Sequence, residues 1–495
     1  MSPWQIICTA VYCVVVVVLS VYGFHRYLML RLFYRHRRQA QAAAGRFAEL
    51  PVVTVQLPLY NEFHVAERLI DAVCRLDYPR DRLQVQVLDD SQDETCHRAV
   101  AAVARWSAQG VDIARLHRTD RTGFKAGALQ AGMAGAKGEF ILIFDADFLP
   151  PPQILQQAIH HFIDPQIGMV QLRWGHLNRG HSPLTRIQAI FLDSHFVVEH
   201  TARNRSGRFF NFNGTAGIWR KTAILDAGGW QHDTLTEDLD LSYRAQLAGW
   251  RFRFLPEIEV PGEIPEEINA FKAQQHRWTK GAVQTGKKIL PRIWRSTLPM
   301  RIKVEATFHL TAHLCYLLMW LMALLMWPML TIRSQLGWER MLIVDLPLFS
   351  MATLAISSFY LAAQRELYAD WRSQIKYLPI LMAIGMGLCV NNARAVVEGL
   401  AGHVSPFLRT PKSGGVAGAE PVRRKYTNKV PLLFLVELGM ACYFAVVVIR
   451  AWDIGLYAGM PFLLLFLSGF LYTGLSSAWR PCRRIRHSSR PGKIP

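Results

Sequence analysis

Five short runs carry residues able to do chemistry: VLDDSQDE (87–94), RTDRTGFKAG (118–127), IFDADF (143–148), LTEDLD (235–240) and QQHRW (274–278). Asp145 and Asp147, one residue apart at the end of an apolar strand, can point to one side and share a hard divalent cation. Mg2+ or Mn2+ held there would bridge a diphosphate and neutralise it as it departs. The same residues read equally as an acidic turn closing the strand. Asp89 and Asp90 can accept hydrogen bonds from a base or ribose, or can form a solvated turn in which Asp90 or Ser91 starts a helix. Arg118, Arg121 and Lys125 surround a turn glycine leading into a helix, which suits phosphate or simply balances nearby acids.

Asp238 has the chemistry of a general base for a sugar hydroxyl, with Glu237 beside it. The structural alternative is a helix capped by Thr236, its first turn carrying Glu237, Asp238 and Asp240. Between these runs lies FNFNGTAGIWR (210–220), where Gly214 and Gly217 allow close backbone approach to a ligand or a tight turn between strands. In QQHRW, Arg277 can hold a diphosphate in fork geometry, and Trp278 offers a sugar ring an apolar face. The competing reading is a membrane-interface tryptophan with a snorkelling arginine.

Alternating strand and helix patterns position these groups. PVVTVQLPLY (51–60), LQVQVLDDS (83–91) and EFILIFDADF (139–148) read as strands. EFHVAERLIDAVCRL, DETCHRAVAAVARWSAQG and KAGALQAGMAGA read as helices. The alternation predicts an α/β, doubly wound, mainly parallel sheet. Ligands bind beyond the C-terminal strand ends of such sheets, where Glu62, Asp89, Asp90, Asp145 and Asp147 fall. No G-x-G-x-x-G follows the first strand and no G-x-x-x-x-G-K-[ST] occurs, so dinucleotide and P-loop readings drop.

Half the residues (51%) are hydrophobic while the formal net charge is +19, which fits a membrane protein with basic loops better than a nucleic-acid binder. The eight cysteines contain no C-x-x-C pair, so neither a zinc site nor a disulfide framework is indicated. Apolar spans are expected near 4–24, 306–332, 341–363, 430–450 and 454–478. The stretch 377–400 is read as interfacial or re-entrant, because five spans keep the basic loop 401–429 and the basic tail on the side of residues 31–305. The N-terminal run lacks a cleavage site and reads as an uncleaved anchor.

The order DDS, TGFKAG, DAD, TED, QQHRW, set between one N-terminal span and a C-terminal bundle, resembles the membrane-embedded family 2 glycosyltransferases. These include cellulose and hyaluronan synthases and the plant cellulose-synthase-like mannan and glucan synthases. The likeness covers residues 51 to about 290. FNGTAGIWR, LTRIQAIFLDSHFVVEH and QQHRW look most like the mannan and xyloglucan-backbone branch. The resemblance implies a GT-A-type Rossmann-like catalytic domain inserted between one N-terminal and about four C-terminal transmembrane helices. It implies an anchor over 1–30, a catalytic domain over 31–264 and interface helices over 265–305. The bundle would follow over 306–480, then a basic cytoplasmic tail over 481–495.

It further implies that Asp90, with Asp89, contacts the donor nucleotide and that Lys125 supports the phosphates. Asp145 and Asp147 would bind Mg2+ or Mn2+ and the diphosphate. Asp238 would be the base, with Glu237 a catalytic candidate in the same turn. Gln274, Arg277 and Trp278 would line the acceptor and diphosphate end, with Glu62 at the substrate-binding strand end. Phe407, Thr410 and Lys412 in FLRTPK partly match a gating loop of pattern F-x-V-T-x-K, with Arg409 in place of valine. The expected activity is inverting transfer of a hexose from a nucleotide sugar, UDP-glucose or GDP-mannose, to a growing polysaccharide that is then translocated. The alternative acceptor is a lipid. A multi-pass protein of a bacterial inner membrane, with its catalytic domain in the cytoplasm and no nucleic-acid partner, completes the expectation.

Overall fold

The computed structural model describes residues 1–39, 41–336, 342–403, 412, 414 and 432–479. Its soluble part is built on seven strands: β1 Val53–Leu59, β2 Leu83–Asp89, β3 Asp112–His117, β4 Phe140–Ile143, β5 Ile167–His176, β6 Gly217–Arg220 and β7 Arg251–Gly262. Among the described residues they form one sheet in the order β3-β2-β1-β4-β6-β5-β7. β1, β2 and β4 are buried almost throughout, as strands covered on both faces must be. One core, including Val53, Leu57, Leu69, Ile70 and Phe162, lies on one side of the sheet. The other, including Leu129, Ile141, Trp219 and Leu241, lies opposite.

The crossover helices Ala66–Cys74, Thr95–Ser107 and Phe124–Gly135 occupy the expected places. β3, β2, β1 and β4 run parallel. β6 departs from the doubly wound expectation. It is antiparallel to both β4 and β5, so FNFNGTAGIWR does not merely turn between strands but ends in one. A second departure concerns Asp90 and Ser91, which do not start a helix. Asp89 Oδ1 accepts the Ser91 N–H at 2.9 Å, Asp93 Oδ1 accepts the Thr95 N–H at 2.9 Å, and the helix begins only at Thr95. Short aspartate side chains close turns on themselves more readily than they extend a helix.

Among the described residues, four helices are long and apolar enough to cross a membrane: Pro3–His36, Leu314–Gln335, Leu433–Asp453 and Tyr457–Ala478. A further helix, Leu342–Leu367, covers the expected span 341–363. The stretch 377–400 falls in two helices, Trp371–Gly387 and Cys389–Leu400, bent by 43° at their junction. The first helix packs with the later ones through a shared apolar cluster that includes Tyr12, Val15, Met322, Phe444 and Phe466.

Between sheet and bundle lies the interface helix Ile268–Arg295. Its Lys272 is 1% exposed and donates to Glu437, 0% exposed, with Nζ to Oε1 at 2.6 Å; it also donates to Ser477 Oγ at 3.0 Å. The Lys272 carbonyl accepts from Asn391 Nδ2 at 3.0 Å. The buried ammonium thus ties the interface helix to two helices of the bundle, and the carbonyl of the same residue ties it to a third. Lys272→Met should destabilise the protein by about 3–5 kcal/mol, because Glu437 stays buried without its counter-charge. Adding Glu437→Leu should recover most of that loss, an order that thermal unfolding in detergent checks.

Candidate active site

The C-terminal ends of β1, β2 and β4 converge on a cavity of about 180 Å³. β4 ends at Ile143, and Asp145 follows with its N–H donated to Thr215 Oγ1 at 2.9 Å. Lys125, on the first turn of the helix Phe124–Gly135, donates to Asp145 Oδ1 at 2.5 Å and to the Gly214 carbonyl at 2.9 Å. Gly214 has φ +83°, and a methyl group there would stand 3.1 Å from Asp238 Oδ2 and 3.3 Å from Lys125 Nζ. Glycine therefore lets the backbone pass between the ammonium and the carboxylate.

Asp238 lies in the first turn of the helix Glu237–Leu247, its Oδ1 accepting the Leu239 N–H at 2.8 Å. Thr236 occupies the N-cap position without a side-chain cap. Its hydroxyl meets Thr285 Oγ1 of the interface helix at 3.2 Å instead, which corrects the capping expectation. Burial, then the neighbouring Glu237, push the Asp238 carboxyl up to about 7. Burial also raises Glu237. Burial works against the Lys125 charge, but Asp145, Glu237 and Asp238 outweigh it and hold its pKa above the usual value. Asp240 turns away from this chemistry and pairs with Arg244 Nε at 2.8 Å in the core.

Asp147 holds Lys412, Nζ to Oδ2 at 2.5 Å. Each carboxylate of the DAD run thus draws a cation. Two hard-oxygen donors of this kind, close to one cavity, fit Mg2+ or Mn2+, with Lys125 and Lys412 as the groups that must yield. A second cluster, Asp89, Cys96 and His117, brings ligand-type atoms within 4.8 Å. There the Arg115 guanidinium donates to Asp89 Oδ2 and approaches His117 Nδ1, both at 2.8 Å, so a cation already fills the space.

The sequence candidates separate cleanly. Glu62, Asp90, Lys125, Asp145, Asp147 and Lys412 line the cavity, as do Glu237, Asp238, Gln274, Arg277 and Trp278. Asp89 does not: it is fully buried below and shapes the turn. Both oxygens of Asp90 are taken by Arg118, at 2.8 and 2.5 Å in fork geometry. Phe407 and Thr410 lie outside the described residues. Sequence reasoning passed over Tyr60, Trp174, His176 and Glu263, which also line the cavity. Trp174 and His176 lie at the end of β5, so the strand-end rule would have found them had β5 been recognised.

On the interface helix, Gln274, Arg277 and Trp278 are spaced i, i+3, i+4 and share one face. His276 points elsewhere, with Nε2 3.3 Å from Glu398 of the bent helix pair. Arg277 is half-buried; desolvation lowers its pKa, and it faces Glu237, Asp145, Asp238 and Asp147.

Residues 51–281 match the family model described as "Glycosyltransferase like family 2". A curated relative, glucomannan 4-beta-mannosyltransferase 2 of Arabidopsis thaliana, is 43% identical over 254 residues, 50% of this chain and 48% of its own. Glucomannan 4-beta-mannosyltransferase 1 of Oryza sativa subsp. japonica is 42% identical over 268 residues, 52% of this chain and 51% of its own. The chain thus spans about half the length of the curated relatives it matches. Among solved structures, a mannosyltransferase of Pyrobaculum calidifontis in complex with GDP-Man and Mn2+ aligns with TM-score 0.53 at 22% identity. The alignment covers 78% of this chain and 98% of that one, which shows a shared fold. The curated relatives are plant proteins and give no support to a bacterial inner membrane.

Gly281 sets the distance between the interface helix and the TED turn. A methyl group there would stand 2.5 Å from Thr236 Cγ2 and 2.9 Å from the Thr236 backbone nitrogen. Gly281→Ala should therefore cost about 1–3 kcal/mol and expose the TED turn to faster hydrogen exchange, measurable by mass spectrometry.

Proposed function

We propose that this chain, whose residues 51–281 form a glycosyltransferase family 2 domain, transfers mannose with inversion from GDP-mannose to a hydroxyl of a β-linked polysaccharide at a membrane. The observation that carries the reading is Asp238, a half-buried carboxylate pushed up to about 7 in a cavity shared with Asp145, Asp147 and Arg277. A base poised near neutral pH suits proton abstraction from a sugar hydroxyl. The choice of mannose rests on the names of the curated relatives.

Asp238 takes the proton of the acceptor hydroxyl as its oxygen attacks the anomeric carbon. The bond from that carbon to the diphosphate oxygen breaks, and the nucleoside diphosphate leaves from the opposite face. Arg277 and Lys125 meet the negative charge that develops there. Asp145 and Asp147 would hold the divalent cation, which when bound supplies further charge stabilisation to the diphosphate. Asp90, fixed by Arg118, lies at the nucleotide end, and Arg121, 3.2 Å above the Tyr60 ring, walls it. Glu237 keeps Asp238 basic by repulsion. Trp278 offers the acceptor ring its apolar face.

Translocation of a growing chain is supported by a second cavity of about 570 Å³ that runs among the membrane helices to Tyr12 and Phe466. Asp238 and Trp278 line both cavities, whereas Asp145 and Asp147 line only the smaller. That division supports an acceptor side distinct from the leaving-group side, the arrangement an inverting transfer uses. Basic residues at the end of the first helix, Arg31, Arg35, Arg37 and Arg38, support a cytoplasmic face for the catalytic domain.

With GDP-mannose and Mg2+ or Mn2+, the purified protein should release GDP, and chelation should stop it. Asp238→Asn should lower kcat by about 10²–10⁴-fold; equal turnover would sink the base assignment. Recovery of mannosylated lipid alone would replace polymer by a lipid acceptor. Because the Asp238 pKa is raised, the carboxyl is protonated and inactive below about 7. The kcat/KM profile should accordingly fall about tenfold per pH unit on the acid side and level off above.

A further inference from the structure

The elbow between the interface helix Ile268–Arg295 and the next helix, Met300–Thr311, takes no part in the chemistry proposed above, yet it is held firmly from within. Residues 286–304 carry six cations, Lys287, Lys288, Arg292, Arg295, Arg301 and Lys303, and no acid. Lys303 Nζ closes the elbow by donating to the Ser296 carbonyl at 2.7 Å and to the Trp294 carbonyl at 3.1 Å. Trp294 in turn donates its indole N–H to Thr307 Oγ1 at 3.1 Å, which fixes the ring against the second helix. Met300, Val304 and Thr307 share one face of that helix. Trp294 is nonetheless 48% exposed, Met300 61% and Val304 39%, so an apolar edge stands open.

The first helix sets the level of this edge. Tyr22 Oη lies 2.5 Å from Thr311 Oγ1, and His25 Nε2 lies 3.0 Å from Glu305 Oε2. The two helices therefore run side by side in opposite directions. Met300 and Arg301 come level with the basic end of the first helix, where Arg31 and Arg35 lie. An exposed apolar edge rimmed by cations, at the height where apolar helices become basic, fits lipid chains below and anionic headgroups above.

Two guanidiniums narrow the choice. Arg208 is half-buried, and its Nε is closed off without a partner among the described residues. Glu305, whose charge acts on Arg208, is already taken by His25 Nε2 and Arg203 Nε, each at 3.0 Å. Burial lowers the Arg208 pKa, Glu305 opposes this, and the nearby Arg301 adds to the lowering. Arg208 and Arg301 thus repel one another, and neither has an ion-pair partner among the described residues. An anion relieves both, and a phosphate has the oxygens to accept from two guanidiniums at once.

We propose that the elbow binds one anionic phospholipid, its headgroup phosphate held by Arg208 and Arg301 and its acyl chains lying against Trp294, Met300 and Val304. A lipid seated there braces the end of the helix that carries Arg277, while the binding itself is independent of the transfer chemistry. Native mass spectrometry of the full-length protein in an uncharged detergent tests it, with phosphatidylglycerol and phosphatidylcholine of the same acyl chains titrated in parallel. The wild type should bind one phosphatidylglycerol about tenfold more tightly than phosphatidylcholine. Arg301→Gln, at an exposed side chain, should raise the phosphatidylglycerol Kd about fivefold, and Arg208→Gln combined with it about thirtyfold. Phosphatidylcholine binding should stay within about twofold, which also reports an intact fold. Lys137→Gln removes a charge at the opposite end of the sheet from the cavity and should change neither Kd. Equal binding of the two lipids by the wild type overturns the proposal, as does unchanged phosphatidylglycerol binding in Arg301→Gln. Equal weakening by Lys137→Gln overturns it too, by making the attraction diffuse. Displacement of the lipid by inorganic phosphate beyond that by chloride at equal ionic strength would make this a free-anion site instead, and likewise overturns it.

Discussion

Carboxylates crowded into one half-buried cavity repel one another strongly, because little water is present to screen them. Asp145, Asp147, Glu237 and Asp238 stand in that position, and the rest of the architecture supplies the compensating charge from different parts of the chain. Lys125 comes from the first turn of a crossover helix, Arg277 from the interface helix and Lys412 from the segment after the bent helix pair. Asp90 and Glu263, at the rim, have Arg118 and Arg68. No single element could hold these acids together. The sheet brings them to one edge, and the surrounding elements neutralise them selectively, leaving Asp238 with its pKa near 7.

The interface helix is where this electrostatic arrangement joins the membrane part. One face presents Gln274, Arg277 and Trp278 to the cavity. Other positions hold the bundle, through Lys272 to Glu437 and through Lys280 to Glu398 at 3.2 Å. A helix with polar anchors on both sides cannot shift toward one without straining the other. Gly281, packed on Thr236, makes the same point sterically. The position of Arg277 over the acids is thus set partly by ion pairs far from the chemistry.

Much of this was legible in the sequence because it depends on local pattern. Apolar runs ending in acids gave away β1, β2 and β4, since a buried strand must be apolar and its exit is where polarity returns. The i, i+3, i+4 spacing in QQHRW put three cavity residues on one face. What was not legible depends on partners distant in sequence. Nothing in VLDDS distinguishes Asp89 from Asp90. Only the sheet register, pairing Asp89 with Leu59 and His117, buries the first while the second reaches the cavity rim. Likewise, β6 as an antiparallel insertion depends on a return path through the helices after β5. The π-helical HFVVEH run carries no pattern that separates it from ordinary helix.

The division of the site into two cavities bears on why Asp238 is so strongly perturbed and on the role proposed for it. Asp145 and Asp147 each sit beside an ammonium group, Lys125 and Lys412. Asp238 stands at the boundary, with Lys125 reaching it only across Gly214 and the large, mostly apolar cavity on its other side. Burial there raises its proton affinity, and Glu237 adds to the effect. A base with higher proton affinity is a better acceptor for a hydroxyl proton, provided it is ionised at the working pH. On the proposed reading, the apolar cavity wall that would carry a sugar chain also tunes the group that would activate the end of that chain, so transport path and basicity would arise from one surface.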